Sequence, residues 1–217
     1  MFKSLISDLD SIMERDPAAR SRFEVYMLYS GFKAVRAYRR ANWFYRHNMK
    51  FIARAISQHS RHKTGIEIHP GATIGKGLFI DHGMGVVIGE TAEIGDYCTL
   101  YQGVTLGGTG KDHGKRHPTL GNNVLVGAGA KVLGPFKVGN NARIAAGAVV
   151  LEEVPENATA VGVPARVVRL NGVRVGPLDH IHYADPVALE LCRLEKECSD
   201  LHKEVEGLTD KNKRTIG

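Results

Sequence analysis

Two histidines in this chain stand beside charged residues, at two interruptions of an otherwise regular sequence. His82 follows Asp81, and His117 follows Arg116. Imidazole has a pKa of about 6.5, so it can take a proton from a hydroxyl near neutral pH, and a nearby acid can orient the ring and stabilise its charged form. An arginine can bind a carboxylate through two parallel hydrogen bonds. These residue types can supply a general base and an anion-binding cation.

The segment that contains Arg116, residues 107–118, is rich in glycine and basic residues. Its Gly-Thr-Gly-Lys run invites comparison with a phosphate-binding loop. However, the first glycine of the pattern G-x-x-x-x-G-K-[ST] falls on Thr105, and its last position is Asp112. The sequence therefore excludes a nucleoside-triphosphate loop of that type.

The residues that must position these groups form a six-residue repeat from Ile68 to Val150. Its small aliphatic residues fall into three sets: Ile68, Ile74, Ile80, Val86; Ile88, Ile94, Leu100, Leu106; and Leu120, Val126, Val132, Val138, Ile144, Val150. A helix of 3.6 residues per turn cannot keep this spacing on one face, whereas a short strand and a turn every six residues can. The pattern predicts a parallel β-helix with three hexapeptides in each triangular coil. Two insertions interrupt it, one just before Ile88 and one at 107–118, and such insertions are where surface sites are built.

Helical periodicity precedes the repeat and returns after it. We predict three or four helices in a domain spanning 1–64, a β-helix over 65–168, and a linker with a C-terminal helix over 169–217. The N-terminal helices are expected to cover the open edge of the first coil. Asp16, directly before Pro17, is a candidate helix N-cap.

The C-terminal helix carries an apolar residue alternately every fourth and third position. These residues are Val187, Leu191, Leu194, Cys198, Leu201, Val205 and Leu208. The spacing is that of a heptad seam, and a single helix of about 20 residues is marginal in water unless such a stripe is buried. The tail therefore predicts a parallel three-stranded coiled coil, with folding back onto its own chain as the alternative.

Composition limits the class of protein. The chain has 217 residues, 43% of them hydrophobic, without a run of about 18 apolar residues or a secretory N-terminus, so we expect a cytoplasmic protein outside the membrane. The three cysteines have no metal-ligand spacing and are expected to be reduced. The net charge of +6 suggests an anionic partner. The cations between Lys33 and Arg46 lie on a helix with an apolar face, which favours a solvated surface over nucleic-acid binding. A phosphate-rich cofactor accounts for the excess charge.

Several segments together resemble the serine O-acetyltransferase family. They are Arg15-Asp16-Pro17-Ala18, Glu67-Ile68-His69-Pro70, Asp81-His82-Gly83, Gly89-Glu90-Thr91, the run from Gln102 to Lys111, Arg116-His117-Pro118 and Gly162-Val163-Pro164-Ala165-Arg166. The resemblance covers roughly residues 5–170 and is closest to the shorter bacterial members. It implies a left-handed β-helix assembled as trimers, acetyl-CoA as co-substrate, L-serine as acceptor, cysteine as feedback inhibitor, and no metal. The reduced N-terminal region favours a trimer over a hexamer.

The resemblance also implies roles for individual residues. It makes His82 the general base and Glu67 its orienting acid, although the best-known members carry aspartate at the Glu67 position. For serine it implies Arg116 and His117 at the carboxylate, and Asp16 and Asp81 at the ammonium, in a cleft between subunits. For acetyl-CoA, the candidates are Gly108, Thr109, Ala128 and Arg143, with Lys131 and Arg166 as further phosphate partners. We interpret His69 and His59 as surface residues and assign no role to His113.

An acetyltransferase for another hydroxyl acceptor is one alternative to this function, and two further functions compete with it. γ-Type carbonic anhydrases share the predicted fold and bind zinc through three histidines, which His82, His113 and His117 could supply. A scaffold function is the other, because the family binds O-acetylserine sulfhydrylase through a C-terminal isoleucine carboxylate. Here Gly217 follows Ile216, so we do not expect that complex.

Overall fold

The computed structural model describes residues 2–108, 110, 114–174, 193–194, 196–199 and 201–202. The chain divides into two compact units, Met1–Pro177 and Leu178–Gly217. The first unit contains the N-terminal helices and the β-helix. Among the described residues, no helix is long and apolar enough to cross a membrane.

Four helices precede the β-helix: α1 (Phe2–Arg15), α2 (Arg22–Leu28), α3 (Ser30–Arg46) and α4 (Lys50–Thr64). Ser21 caps α2, because its side chain accepts a hydrogen bond from the Glu24 N–H at 3.1 Å. Asp16 instead accepts from the Ala18 N–H at 2.8 Å in the turn between α1 and α2. The interpretation of Asp16 as a helix N-cap is therefore wrong, and its carboxylate belongs to a turn.

In the described part of the chain, sixteen short strands follow. They are β1 (Glu67–Ile68), β2 (Thr73–Ile74), β3 (Phe79–Ile80), β4 (Val87–Ile88), β5 (Glu93–Ile94), β6 (Thr99–Leu100), β7 (Thr105–Gly107), β8 (Thr119–Leu120), β9 (Leu125–Val126), β10 (Lys131–Leu133), β11 (Lys137–Val138), β12 (Arg143–Ile144), β13 (Val149–Val150), β14 (Ala158–Val161), β15 (Arg166–Leu170) and β16 (Val173–Arg174).

The strands form the three faces of a prism. Face A has the order β1-β4-β7-β10-β13, face B has β11-β8-β5-β2, and face C has β16-β15-β14-β12-β9-β6-β3. Pairing is parallel up to β14, and the last two strands turn back antiparallel. We call the turns that lead from face C to face A the C–A corner, and those from face A to face B the A–B corner. This is the parallel β-helix that the six-residue repeat predicts.

Stacked aliphatic residues fill the prism. Ile68, Ile88, Leu106, Val132 and Val150 lie in register on face A, each at most 4% exposed. Burying such a side chain stabilises a fold by about 1.5–3 kcal/mol, so the repeat itself supplies the core. The two insertions leave this ladder unbroken, because the extra residues project from the corners.

The N-terminal helices cover the open edge of the first coil, as predicted. The Ser57 hydroxyl donates to the Ile68 carbonyl at 2.6 Å, the Tyr38 hydroxyl to Ala72 at 2.7 Å, and the Arg39 guanidinium to Ile74 at 2.8 Å. These side chains satisfy carbonyls that would otherwise form an unpaired strand edge. Arg39 is paired in turn with the buried Asp8, whose pKa is raised by burial. The edge is therefore closed by polar contacts as well as apolar ones.

Helix α3 approaches the β-helix closely at Gly31. A methyl group added there would lie 2.1 Å from the Ile80 carbonyl oxygen, which is backbone and cannot rotate away. We expect Gly31→Ala to lower the free energy of unfolding by about 1–3 kcal/mol, the usual cost of overpacking. Urea unfolding measures this change, with the exposed Arg40→Ala on the same helix as control. Equal stability of the two variants would contradict the close approach.

The predicted coiled-coil seam lies mostly outside the described residues. Leu194, Cys198 and Leu201 are described; all three are helical and exposed within this one chain. The coiled coil stays a prediction.

Candidate active site

The insertion before Ile88 creates a tight turn around His82 at the C–A corner. The Gly83 N–H donates to the Asp81 carbonyl at 2.6 Å, which closes a three-residue turn with His82 at its centre and a φ of +57°. Such backbone is uncommon for a residue with a side chain and is concentrated at functional sites. The turn projects the imidazole outward, leaving it 76% exposed, with Nε2 3.9 Å from the Asp81 carboxylate.

A second carboxylate reaches this corner from the helices. The Tyr29 hydroxyl donates to Asp16 Oδ2 at 2.8 Å. Burial, the bond to Asp16 and the nearby charges of Asp16, Glu24 and Asp81 raise the pKa of Tyr29 to about 12, so the hydroxyl keeps its proton at neutral pH. Because the charges of Asp16 and Asp81 both act on this hydroxyl, Asp16 lies near the end of the C–A corner that carries Asp81 and His82. Tyr29 was not among the predicted residues, because nothing in its sequence neighbourhood shows that the turn before α3 folds onto Asp16.

Glu67 begins β1, close to the same corner. Ile66, the preceding residue, lies against the His82 turn, since a methyl group on Gly83 would meet its side chain at 2.5 Å. The Glu67 carboxylate is paired with Arg61 of α4, at 3.3 Å from Nε. Within this chain, the Glu67 carboxylate therefore pairs with Arg61 and not with the His82 ring. Its role as the orienting acid of His82 stays a prediction.

The A–B corner holds Arg116 in an ion pair. Its Nη2 lies 2.6 Å from Glu90 Oε2, and the Tyr45 hydroxyl of α3 donates to the other Glu90 oxygen at 3.0 Å. The hydrogen bond from Arg116 lowers the pKa of Glu90. Glu90 stands in one of the resemblance segments, but its contact with Arg116 could not be read from the sequence because 25 residues separate the two.

His117 is fixed beside Arg116 by Thr91. The Thr91 hydroxyl accepts hydrogen bonds from the backbone N–H groups of Arg116 at 3.0 Å and of His117 at 3.2 Å, and it lies 2.8 Å from His117 Nδ1. The Thr91 N–H also donates to Nδ1 at 3.2 Å. Nδ1 is therefore an acceptor, and the proton of the neutral ring is on Nε2. His117 is a buried hydrogen-bond donor.

Half-buried His69 lies in the same corner, so its interpretation as a surface residue is wrong, whereas His59 is exposed as expected. The Nδ1 atom of His69 accepts a hydrogen bond from the Gly71 N–H at 3.0 Å, and the His69 ring packs edge-on against Tyr45. Burial lowers the pKa of His69, as do the charges of Arg54, Arg116 and His117, against the opposite effect of Glu90.

The lowered pKa values of His69 and His117 predict a loss of stability in mild acid. Burial, Arg116 and Lys115 lower the pKa of His117 below 6.5, against the opposite effect of Glu90. Because the folded-state pKa values of His69 and His117 lie below those of the unfolded chain, their contribution is present above pH 6.5 and is lost as the pH falls through the folded values. We expect the melting temperature to drop by several degrees between roughly pH 7 and pH 5.

The matched variants for this prediction are His117→Asn and His59→Asn. Asparagine can accept from Thr91 without titrating, so His117→Asn should flatten the pH dependence of the melting temperature. His59 is exposed, and His59→Asn should leave that dependence unchanged. An unaltered profile in His117→Asn would contradict the assignment.

The predicted donor residues divide between the same two corners. Ala128 lies on the C–A corner, where its carbonyl accepts from the Gly147 N–H at 2.8 Å. Gly108 lies at the A–B corner, and a methyl group on it would meet the Arg116 carbonyl at 3.0 Å. Thr109 and His113 lie outside the described residues. Lys131 donates to the Gly103 carbonyl, so this phosphate candidate is already engaged.

A column of glycines runs along the C–A corner. Gly85, Gly103, Gly129 and Gly147 stack there with φ between 70° and 75°, a conformation that favours glycine. A methyl group on Gly129 or Gly147 would meet nothing within 4 Å. In the last two coils the corner carries only small side chains, at residues 127–130 and 145–148, whereas Met84, Tyr101 and Gln102 lie at the corner in the first two coils.

Arg143 lies in a cationic row on face C. Arg143 is in register with Thr159, Thr159 with Arg169, and Arg169 with Arg174. An open depression of about 610 Å³ adjoins the row; besides Arg143, Thr159 and Arg169 it is lined by Asn141, Asn157, Ala158, Asn171 and Gly172. Like charges in register repel, so the row favours a bound anion. Arg166, by contrast, is paired with Glu152 at 2.7 Å.

The two corners are the opposite edges of face A. Asp16, Asp81 and His82 lie at one edge, and Arg116 and His117 lie at the other. One chain therefore presents two partial constellations. In the part of the chain that the structure describes, no group of three or more histidine, cysteine, aspartate or glutamate residues is arranged to hold a metal ion.

Comparisons with known proteins agree with this architecture. The family model for bacterial transferase hexapeptide (six repeats) matches residues 117–152. A serine acetyltransferase of Synechococcus elongatus is 57% identical over 96% of this chain and 85% of that protein. A serine acetyltransferase of Bacillus subtilis is 54% identical over 94% of this chain and 95% of that protein. The chain belongs to the serine acetyltransferase family.

Solved structures of the serine acetyltransferase family share the fold. The Neisseria gonorrhoeae enzyme matches with a TM-score of 0.77 at 40% identity, over 81% of this chain and 66% of that one. Its complex with serine matches with a TM-score of 0.75 at 41% identity, over 77% and 69%. A Brucella abortus serine acetyltransferase in complex with coenzyme A matches with a TM-score of 0.76 at 42% identity, over 82% and 69%. The predicted fold, a left-handed β-helix behind N-terminal helices, is confirmed.

Proposed function

We propose that this protein transfers the acetyl group of acetyl-CoA to the hydroxyl of L-serine, giving O-acetylserine for cysteine synthesis. The observation that carries the proposal is the pair of constellations at the edges of face A. One edge offers a base and two carboxylates, and the other offers a guanidinium and a donor imidazole. Together they complement a hydroxyl, an ammonium and a carboxylate. Serine carries these three groups.

The proposed reaction is a direct attack with both substrates bound. His82 takes the proton of the serine hydroxyl as its oxygen attacks the thioester carbonyl. The tetrahedral intermediate then expels the CoA sulfur, which receives that proton. Asp16 and Asp81 bind the ammonium while Arg116 and His117 bind the carboxylate, so the hydroxyl is held at the base. Glu67 serves as the orienting acid. For this role, its carboxylate leaves Arg61 and binds the His82 ring.

The complete site is proposed to form between two chains of a homotrimer. The two corners bound the same face, so a threefold arrangement with face A toward the axis brings the C–A corner of one chain to the A–B corner of the next. The outward residues of face A are Glu67, Val87, Thr105, Lys131 and Val149, and those of face B are Thr73, Glu93, Thr119 and Lys137. Face A thus carries two outward valines, which this arrangement would bury, whereas face B carries none.

For acetyl-CoA, we propose a path along the C–A corner. The column of glycines begins at the His82 turn and passes Ala128, which would place the thioester near the base and the pantetheine arm against the small residues of the last two coils. Gly108 and Thr109 would approach the donor from the neighbouring chain. The phosphates are assigned to Arg143, with Arg169 and Arg174 in the same row. Each chain would thus contribute to donor binding at both of its corners.

Cysteine is proposed to inhibit at the serine site. It shares the ammonium and the carboxylate of serine and places a thiol where serine has its hydroxyl. A serine acetyltransferase structure in complex with cysteine, with a TM-score of 0.76 at 42% identity, supports this assignment. Inhibition should accordingly be competitive with serine.

Thiol release from acetyl-CoA tests the proposed function. The assay compares L-serine with other amino acids, with sugars and with no acceptor, and mass spectrometry identifies the product. We expect release only with serine, together with O-acetylserine. Stoichiometric zinc in the purified protein without thioester cleavage would instead indicate a zinc enzyme of the carbonic-anhydrase type.

A further inference from the structure

The guanidinium of Arg116 is oriented by a contact within its own chain. One of its terminal nitrogens, Nη2, binds Glu90 Oε2 at 2.6 Å, whereas Nη1 has only a long contact of 3.5 Å to the Gly114 carbonyl. A guanidinium carries five N–H donors, so the bond to Glu90 leaves donors for a second carboxylate. Arg116 is therefore held in place by Glu90 and still has N–H groups that can bind a second carboxylate.

Glu90 is itself held from the helical domain. Its second oxygen accepts from the Tyr45 hydroxyl at 3.0 Å, and the Tyr45 ring packs edge-on against His69 with the ring centres 5.8 Å apart. Burial and the bond to Glu90 raise the pKa of Tyr45, so the tyrosine remains a donor. A continuous set of contacts thus leads from α3 through Tyr45 and Glu90 to Arg116.

Arg116 needs such support because it lies in the loop at 107–118. Its backbone is tied to the β-helix at Thr91, but the long side chain would otherwise sample many rotamers. Ordering a flexible arginine side chain opposes binding, and prior orientation removes that cost from the binding step. Glu90 can provide it, because it lies in the A–B corner turn two residues after β4 and its carboxylate is bound by Tyr45 as well.

We infer that Glu90 and Tyr45 are positioning residues that orient Arg116 toward the carboxylate of the acceptor amino acid. The inference rests on the proposed function, in which Arg116 binds serine. It assigns a substrate-specificity role to two residues that do not contact the substrate, one of them in the N-terminal helical domain. Glu90 acts here as a support for Arg116 and not as a competitor that serine must displace.

The test compares L-serine with L-serinamide, which has the same hydroxyl and ammonium but no carboxylate. We expect Glu90→Gln to raise the KM for serine about 10-fold and Tyr45→Phe about 3-fold, with kcat within about 2-fold, since only the orientation of a binding group is lost. The kcat/KM for serinamide should not change in either variant. The double variant E90Q/R116A should bind serine no worse than R116A, because the two side chains act as one unit.

Glu93→Gln is the matched control. Glu93 pairs with Lys115, the neighbour of Arg116, at 3.0 Å, so this variant removes an ion pair from the same loop without touching Arg116. Its serine KM should equal that of the wild type. A Glu90→Gln variant with an unchanged or lower serine KM would overturn the inference, the lower value because it would make Glu90 a competitor for Arg116. Absence of serine-dependent thiol release in the wild type would overturn the proposed function instead.

Discussion

His82→Ala is expected to lower kcat by about 10²–10⁴-fold, because a positioned general base typically contributes that much. The imidazole projects from a turn at the surface of the chain, with 76% of it exposed, so its removal leaves no cavity in the core. Acetyl-CoA affinity should be retained, since the proposed donor contacts lie farther along the C–A corner. Steady-state kinetics together with calorimetric titration of CoA separate the two effects.

The control for this prediction is His59→Ala, which removes an exposed histidine from α4. It should leave kcat and CoA affinity unchanged. A His82→Ala enzyme with near-normal turnover would exclude His82 as the base. Loss of CoA binding in the same variant would place the donor on the imidazole itself.

Mixing two inactive variants should restore activity if the site is shared between chains. His82→Ala and Arg116→Ala each damage one corner of face A. In a randomly mixed trimer of equal parts, a site is complete when one chain supplies His82 and the next supplies Arg116, which occurs at about a quarter of the contacts by symmetry. We therefore expect co-refolded mixtures to recover about a quarter of wild-type activity from two almost inactive parents.

A mixture of wild type with the double variant H82A/R116A serves as the control. It should also retain about a quarter of the activity if sites are shared, but about half if each site lies within one chain. Light scattering of the same samples checks that they are trimers. No recovery in the first mixture, with half the activity in the second, would rule out the composite site.

The repeat made the core and the faces predictable, because the spacing of Ile68, Ile88 and Leu106 follows directly from three hexapeptides per coil and one short insertion. Motif resemblance supplied the charged residues at both corners. The residues that pair with these charged side chains were harder to predict from the sequence. Tyr29, Tyr45 and Arg61 come from the N-terminal helical domain, whose packing on the first coil depends on side-chain fit, not on periodicity.

The misassigned residues have the same cause. Asp16 looked like a helix cap, since an aspartate before a proline is a common cap; the observed turn and its bond to Tyr29 depend on tertiary contacts. His69 lies at a coil corner, where exposure is usual, but Tyr45 of α3 covers it. Where a second element packs over a repeat, the local pattern ceases to determine exposure.

The stacking of coils also sets the distance between the base and the proposed phosphate-binding residues. Face C places β3, which leads into the His82 turn, three strand positions from β12, which carries Arg143. At about 4.8 Å per position, the base and the proposed phosphate row are about 14 Å apart along the axis. That separation is set by the number of hydrogen-bonded strands between β3 and β12 and not by a flexible loop. The distance that the donor molecule must span is therefore a whole number of coils. Adding or removing one coil would change this distance by about 4.8 Å.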